Sequence, residues 1–269
     1  MMFPSILVLL TFILSSSALS TDNGNWTQVK DIRLDLKLRI VNEGVAHVDN
    51  SWIFSNKGVL FKTTVDPVII QVTNKQAISS ELRTMSYDHI GDIDAIDGII
   101  YGGLEAKDGA VMSALIAWNG TDLSMVRYKV TNVTHHMPWV AIDPASRLIY
   151  SAIWNAENEF QVYDLETFEW VGVLKTATTL PGEIQGGAFY EGFLYLACNG
   201  ADNVFRVDVV TGLIELVLSD AYDRNIYPAY EMEGLDFWDL RSRGLGMMHL
   251  FGNFMEFKEK SIHNYDPPS

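Results

Sequence analysis

The sequence predicts an all-β fold, a single β-propeller, on three observations: a motif recurring with a period in the forties, short runs of β-branched and aromatic residues separated by turn residues, and no helical periodicity over a useful length. The motif is an acidic turn followed by a strand that carries an apolar or aromatic pair. It occurs at Asp97-Gly98-Ile99-Ile100-Tyr101, at Asp143-Pro144 leading to Leu148-Ile149-Tyr150, at Glu191-Gly192-Phe193-Leu194-Tyr195, and at Asp239 leading to Met247-Met248-His249-Leu250. These anchors lie 46, 48 and 48 residues apart, and a weaker copy around Asn56 precedes the first by 41. A unit of that length holds four short strands, and so small a sheet buries both faces only against neighbours of its own kind. Five blades follow; six is the alternative if the irregular stretch 67–87 is divided differently.

The strands can be read in chain order. In the third unit 139–142, 148–153, 160–163 and 170–174 read as strands, with Asp164-Leu165-Glu166-Thr167 turning the chain before the last. The fourth repeats the plan with 194–197, 204–207 and 214–217, turned by Thr211-Gly212. Near the N-terminus Ile32, Leu34, Leu36, Leu38 and Ile40 alternate with charged residues, the pattern of a strand with one buried face. The last unit offers 235–238, 247–251 and 254–257 but no fourth strand. The early strand is therefore expected to pair in the last blade and close the ring, leaving no long edge open. The propeller domain is placed at 21–262, with 263–269 as a C-terminal tail.

Residues 1–20 are uncharged, apolar from Ile6 to Leu14 and end in small residues, which reads as a secretory signal peptide. The apolar run is shorter than the roughly 20 residues that span a bilayer, and no later segment is long and apolar enough. A secreted, extracellular monomer is the expectation. Asn25, Asn119 and Asn132 head glycosylation sequons. Cys198 is the single cysteine, so no internal disulfide forms, and its apolar neighbours predict a buried filler. A formal net charge of -15 repels phosphate backbones and acidic lipid, which disfavours nucleic acid as a partner and makes cations the expected ligands.

Three blade-head segments, His89-Ile90-Gly91-Asp92-Ile93-Asp94, Gln185-Gly186-Gly187-Ala188-Phe189 and Glu231-Met232-Glu233-Gly234-Leu235, resemble secreted, mostly uncharacterised β-propeller proteins of the six-bladed TolB-like and quinoprotein-dehydrogenase-like group. The resemblance spans about 45–250. It implies the fold and leaves activity open, because that group contains hydrolases, lactonases, binders and scaffolds. It also implies that relatives in the lactonase and esterase branches hold a channel calcium with acidic and Asn ligands.

In a propeller the first strand of each blade lines the central channel, so blade heads converge. Asp92, Asp94, Glu231, Glu233 and Asp236 are the candidate metal ligands, for Ca²⁺ above all, since it accepts six to eight oxygens in flexible geometry. His89, Gln185 and Trp139 are candidate ligand contacts, and His136 is the candidate general base. His47, Asp49, His135 and Glu183 share these heads. The structural alternative is that these acids and imidazoles accept backbone N–H groups of neighbouring blades. Asp97, Asp143, Glu191 and Asp239 are expected to serve their own turns. No Gly-x-Ser-x-Gly elbow, HExxH motif or phosphate-binding glycine loop occurs, which disfavours serine hydrolase, zinc protease and nucleotide enzyme. The expected function is an extracellular binding or scaffold protein with an acidic channel that takes a cation or small ligand. The alternatives are a calcium-dependent hydrolase of small esters or lactones, and an acidic matrix protein that binds calcium through its surface.

Overall fold

The computed structural model describes residues 26–33, 43–106, 109–152, 158–221, 230–254 and 259–267. Twenty strands fall into five four-stranded antiparallel sheets, the blades of a propeller. The outermost strand of the fifth blade comes first in the chain, as β1 (Thr27–Arg33). Blade one is β2 (Val45–Val48), β3 (Ser51–Asn56), β4 (Val59–Thr63) and β5 (Ile70–Asn74). A short helix, α1 (Ser80–Thr84), leads into blade two: β6 (Tyr87–Ile96), β7 (Ile99–Ala106), β8 (Ala114–Asn119) and β9 (Met125–Val130). Blade three is β10 (Ala141–Asp143), β11 (Leu148–Ser151), β12 (Glu159–Asp164) and β13 (Trp170–Lys175). Blade four is β14 (Ile184–Tyr190), β15 (Phe193–Cys198), β16 (Asn203–Asp208) and β17 (Ile214–Leu218). Blade five is β18 (Tyr230–Phe237), β19 (Met248–Phe254) and β20 (Glu259–Asp266), completed by β1.

Burial follows position within the blade. The second strands are enclosed on both faces, as in β3, where only Asn56 is partly exposed, whereas outer strands such as β5 and β13 keep much of their surface in solvent. Among the described residues the buried apolar side chains form five clusters, one in each interface between adjacent blades. Such a ring is stabilised chiefly by sheet-on-sheet burial, with no disulfide; Cys198 is buried, and burial pushes its thiol up to about 12.

The acidic turns of the repeat are inner hairpins. Asp97-Gly98 and Glu191-Gly192 have φ of 53° and 75°, and of 48° and 82°, the two left-handed positions a tight two-residue hairpin needs. Asp143 bonds its own turn, accepting from the Ala145 N–H at 2.9 Å, and Asp239 accepts from the Arg241 N–H at 3.2 Å. Asp97 instead reaches Arg147 in the next blade at 2.6 Å, and Glu191 accepts from the Tyr190 hydroxyl at 2.9 Å.

The blade count is five. The stretch 67–87 that allowed a sixth holds only β5, α1 and the first residue of β6. β1 does pair with the end of the chain, Thr27 opposite Asp266 through Arg33 opposite Ser261, and closes the ring. Of the expected alternating strand Ile32 falls within β1; residues 34–42 lie outside the described residues, as do 1–20 and Asn25. The expected tail at 263–269 is corrected in part: residues 263–266 belong to β20, the strand whose apparent absence had left the last unit short.

Candidate functional site

β6 passes through the axis with a bulge, its pairing to β7 skipping Gly91 and Asp92 between Ile90 and Ile93. A bulge re-aims the side chain it carries, and here it turns Asp92 into the hub. Asp92 is 1% exposed and accepts backbone N–H groups from three other blades: Val45 at 3.0 Å, Gly187 at 3.1 Å and Leu235 at 3.3 Å. Its own N–H donates to the Pro138 carbonyl, ahead of β10, at 2.8 Å. One residue thereby links all five blades. Burial pushes its carboxyl well above the usual carboxylate range, against the N–H donors that favour the charged form.

The strands close on this point. A Cβ on Gly44 would come within 2.5 Å of Asp92 Oδ1, one on Gly234 within 2.9 Å of the same atom, and one on Gly91 within 2.0 Å of the Pro138 oxygen. β14 and β18 are also bulged here, at Gln185 and Glu233. The axis is sealed at this level, leaving a blind mouth at each end.

At the C-terminal ends of the inner strands, His47 of β2, Asp94 of β6 and Asp236 of β18 converge. His47 Nδ1 lies 2.8 Å from Asp236 Oδ2, and its ring stacks on Trp238 at 4.7 Å with an 8° interplanar angle. Burial opposes charge on His47, yet the carboxylates of Asp236 and Asp94 outweigh it and raise the imidazole above its ordinary value. Asp94 accepts from the N–H groups of Ala95 and Ile142, each at 2.7 Å. Burial, reinforced by the nearby Asp236, pushes its carboxyl up to about 7. A cavity of about 110 Å³ opens over these groups, walled by Ile96, Ile142, Phe189 and Phe237. A second, of about 430 Å³, continues outward from His47, Ala95 and Ile96 to Asp49 and Asp97.

The opposite mouth carries two acid–imidazole pairs. His89 Nε2 lies 3.4 Å from Glu43, and His136 Nδ1 lies 3.8 Å from Glu105. Burial works against a charged His89, but Glu43 and Glu105 raise it overall; burial likewise raises Glu105, against the Met137 N–H and both imidazoles.

The five candidate metal ligands are not brought together. Asp92 sits in the hub with its oxygens engaged by backbone donors, Asp94 and Asp236 lie at one mouth, and Glu231 and Glu233 lie towards the other. Among the described residues no group of three or more His, Cys, Asp or Glu side chains is arranged to hold a metal ion. The oxygen ring expected for Ca²⁺ does not fit this geometry. Trp139 faces no channel: it is fully buried, packs edge-on against Phe160 at 6.0 Å, and meets the Gly187 backbone of the next blade. His136 lies in the loop before β10 rather than on a channel strand, and Gln185 is a partly exposed bulge residue. Asn132 is exposed, whereas Asn119 is half-buried and caps its own turn through the Thr121 N–H at 2.7 Å.

Glu105 was not among the expected site residues because it sits on a second strand. Its signal was a lone acid within the otherwise apolar Ile99–Ala106. Glu43 precedes the first visible repeat, which hid it.

No protein-family model matches the chain, and no curated protein matches it by sequence. Among solved structures it is similar to a glutaminyl cyclase of Myxococcus xanthus, at 11% identity and a TM-score of 0.67, covering 91% of this chain and 97% of that one. It is also similar to a luciferin-regenerating enzyme, at 14% identity and a TM-score of 0.52, over 84% of this chain and 78% of the other. At these identities the likeness concerns the fold. Among the described residues no helix is long and apolar enough to cross a membrane.

Proposed function

We propose that the chain is an extracellular binding protein that takes a small organic cation into the blind pocket at His47, Asp94 and Asp236. The observation that supports this is the convergence of two carboxylates under aromatic walls, in a concave site with few polar groups and one strongly perturbed acid. An ammonium group would donate to Asp94 and Asp236 while its carbon chain rests on Phe189 and Phe237. Asp94 is drawn into its ionised form by that contact and loses its proton. Affinity then rises with pH through the range around 7 where Asp94 titrates.

The test is calorimetric titration of the purified chain with n-hexylamine. We expect binding about ten-fold tighter at pH 8 than at pH 6, with proton release seen as a buffer-dependent heat, because the ionised fraction changes by about that factor. Asp236→Asn should abolish it. Affinity independent of pH, or retained in Asp236→Asn, would count against the reading. Weak, multiple and salt-sensitive calcium binding instead would favour the acidic-surface alternative.

A second reading uses the same groups for catalysis. Asp236 holds His47 through Nδ1, so the imidazole can serve as a base while the Asp94 carboxyl serves as an acid, two groups with opposed roles in one pocket. Hydrolysis of small esters and lactones, with and without chelator, tests it. Glutaminyl cyclase activity, the name carried by a structural neighbour, belongs in the same panel. Background rates throughout, in wild type and His47→Ala alike, would remove it.

A further inference from the structure

We infer that the cation is elongated and doubly charged, a linear diamine, with one ammonium at Asp94 and Asp236 and the other at Asp49; this rests on the binding reading above. The small cavity borders the larger one. It shares His47, Ala95 and Ile96 with the larger one, so the two form a single groove running from the axis out between the β2–β3 and β6–β7 turns. The inner part accommodates little more than an aminomethyl head; the outer part, about 430 Å³, has room for a chain.

The charges along that groove are one-sided. Apart from His47 its outer lining is Val48, Asp49, Ala95, Ile96, Asp97 and Gly98, with no Lys or Arg. The basic residues nearby are turned to other partners: Arg147 binds Asp97 and Glu166, Lys62 donates to the Gly120 carbonyl at 2.8 Å, and Arg243 donates to Asn50. Asp97 therefore carries a counter-ion already, while Asp49, exposed at the outer end, has none among the described residues. Asp97 follows Asp94 by three residues and Asp49 follows His47 by two, each in the turn just past the end of its strand, so the groove runs at most about 7–10 Å from its inner to its outer end. A diamine with a six-carbon spacer covers that span; the apolar middle of such a chain would lie along Val48, Ala95 and Ile96.

The experiment titrates hexamethylenediamine and n-hexylamine in parallel into wild type and Asp49→Asn at low ionic strength. An exposed ion pair is worth at most about five-fold in affinity, so wild type should prefer the diamine by about that factor. Corrected for the two-fold statistical advantage of the diamine's two equivalent ends, the preference should fall to about one in Asp49→Asn and shrink with added salt. Equal affinity for both amines in wild type, or a preference that survives in Asp49→Asn, overturns the inference and leaves the pocket reading in place. Failure of both amines to bind removes both. Thermal melts of the variant, expected to match wild type because Asp49 is exposed, separate a lost contact from a lost fold.

Discussion

A Cβ placed on Gly44 would lie 2.5 Å from the Oδ1 of Asp92, closer than any side chain can sit. The contact shows what the hub is made of: backbone from one blade against a carboxylate from the next, with no room for a through-channel. It also gives Asp92 a structural role distinct from that of Asp94, two residues along the same strand.

Asp92→Ala should therefore destabilise the protein rather than merely weaken a ligand. Removing the carboxylate leaves the N–H groups of Val45, Gly187 and Leu235 buried without their acceptor, at a cost of about 3 kcal/mol or more. Urea denaturation measures it. A midpoint equal to wild type would mean that the hub is hydrated and the carboxylate dispensable.

Asp94 makes stability depend on pH. Its folded value, about 7, stands above the ordinary aspartate value of 3.8, so the folded state holds a proton that the unfolded chain gives up. The contribution is fully favourable below about pH 4 and is lost as pH rises towards 7 and beyond. Asp94→Asn removes the titration, so the stability difference between variant and wild type should shift in the variant's favour across that window. A difference that stays flat from pH 4 to pH 8 would contradict the assignment.

Two glycines separate strain from collision. Gly98 has φ of 75° with open space where a Cβ would stand, so Gly98→Ala should cost only the left-handed penalty, about 1 kcal/mol. Gly91 would drive its Cβ to 2.0 Å from the Pro138 oxygen, which is backbone and cannot step aside. Gly91→Ala should cost several times more, about 3 kcal/mol or above. Comparable melting temperatures for the two variants would refute the ranking.

Trp139→Ala should lower stability by about 3–5 kcal/mol, the usual cost of emptying a large buried site. Its indole lies buried in the interface of blades three and four. Chemical denaturation of the alanine and phenylalanine variants, the second expected to lose less, checks the packing role. A loss below about 1 kcal/mol in the alanine variant would argue against it.

Much of the fold was legible because a blade cannot be stable alone. The need to bury both faces imposes the repeat, and the repeat shows in Asp97-Gly98 and Glu191-Gly192, where the two-residue hairpin turns through two left-handed positions and glycine takes the second. What the pattern hid was local. β20 is mostly polar, Glu-Lys-Ser-Ile-His-Asn-Tyr-Asp, and lacks the apolar run that marks a strand. The candidate site was legible only as a list of blade heads. Alternation along a strand says which residues approach the axis, but not at what height. The bulges at Asp92, Gln185 and Glu233 shift the side chains by a residue, and they separate acids that the sequence had seemed to gather into one ring.

The pairing of β1 with β20 carries a consequence for biogenesis. β1 finds its sheet partner far along the chain, with Gln28 opposite Tyr265 and Asp31 opposite His263, so it is made long before the strand it pairs with. Four blades can assemble during synthesis, while the fifth waits with two unmated borders until β20 is made. Nascent chains stalled before residue 259 should be protease-sensitive and prone to stick to chaperones, however well the earlier blades have formed.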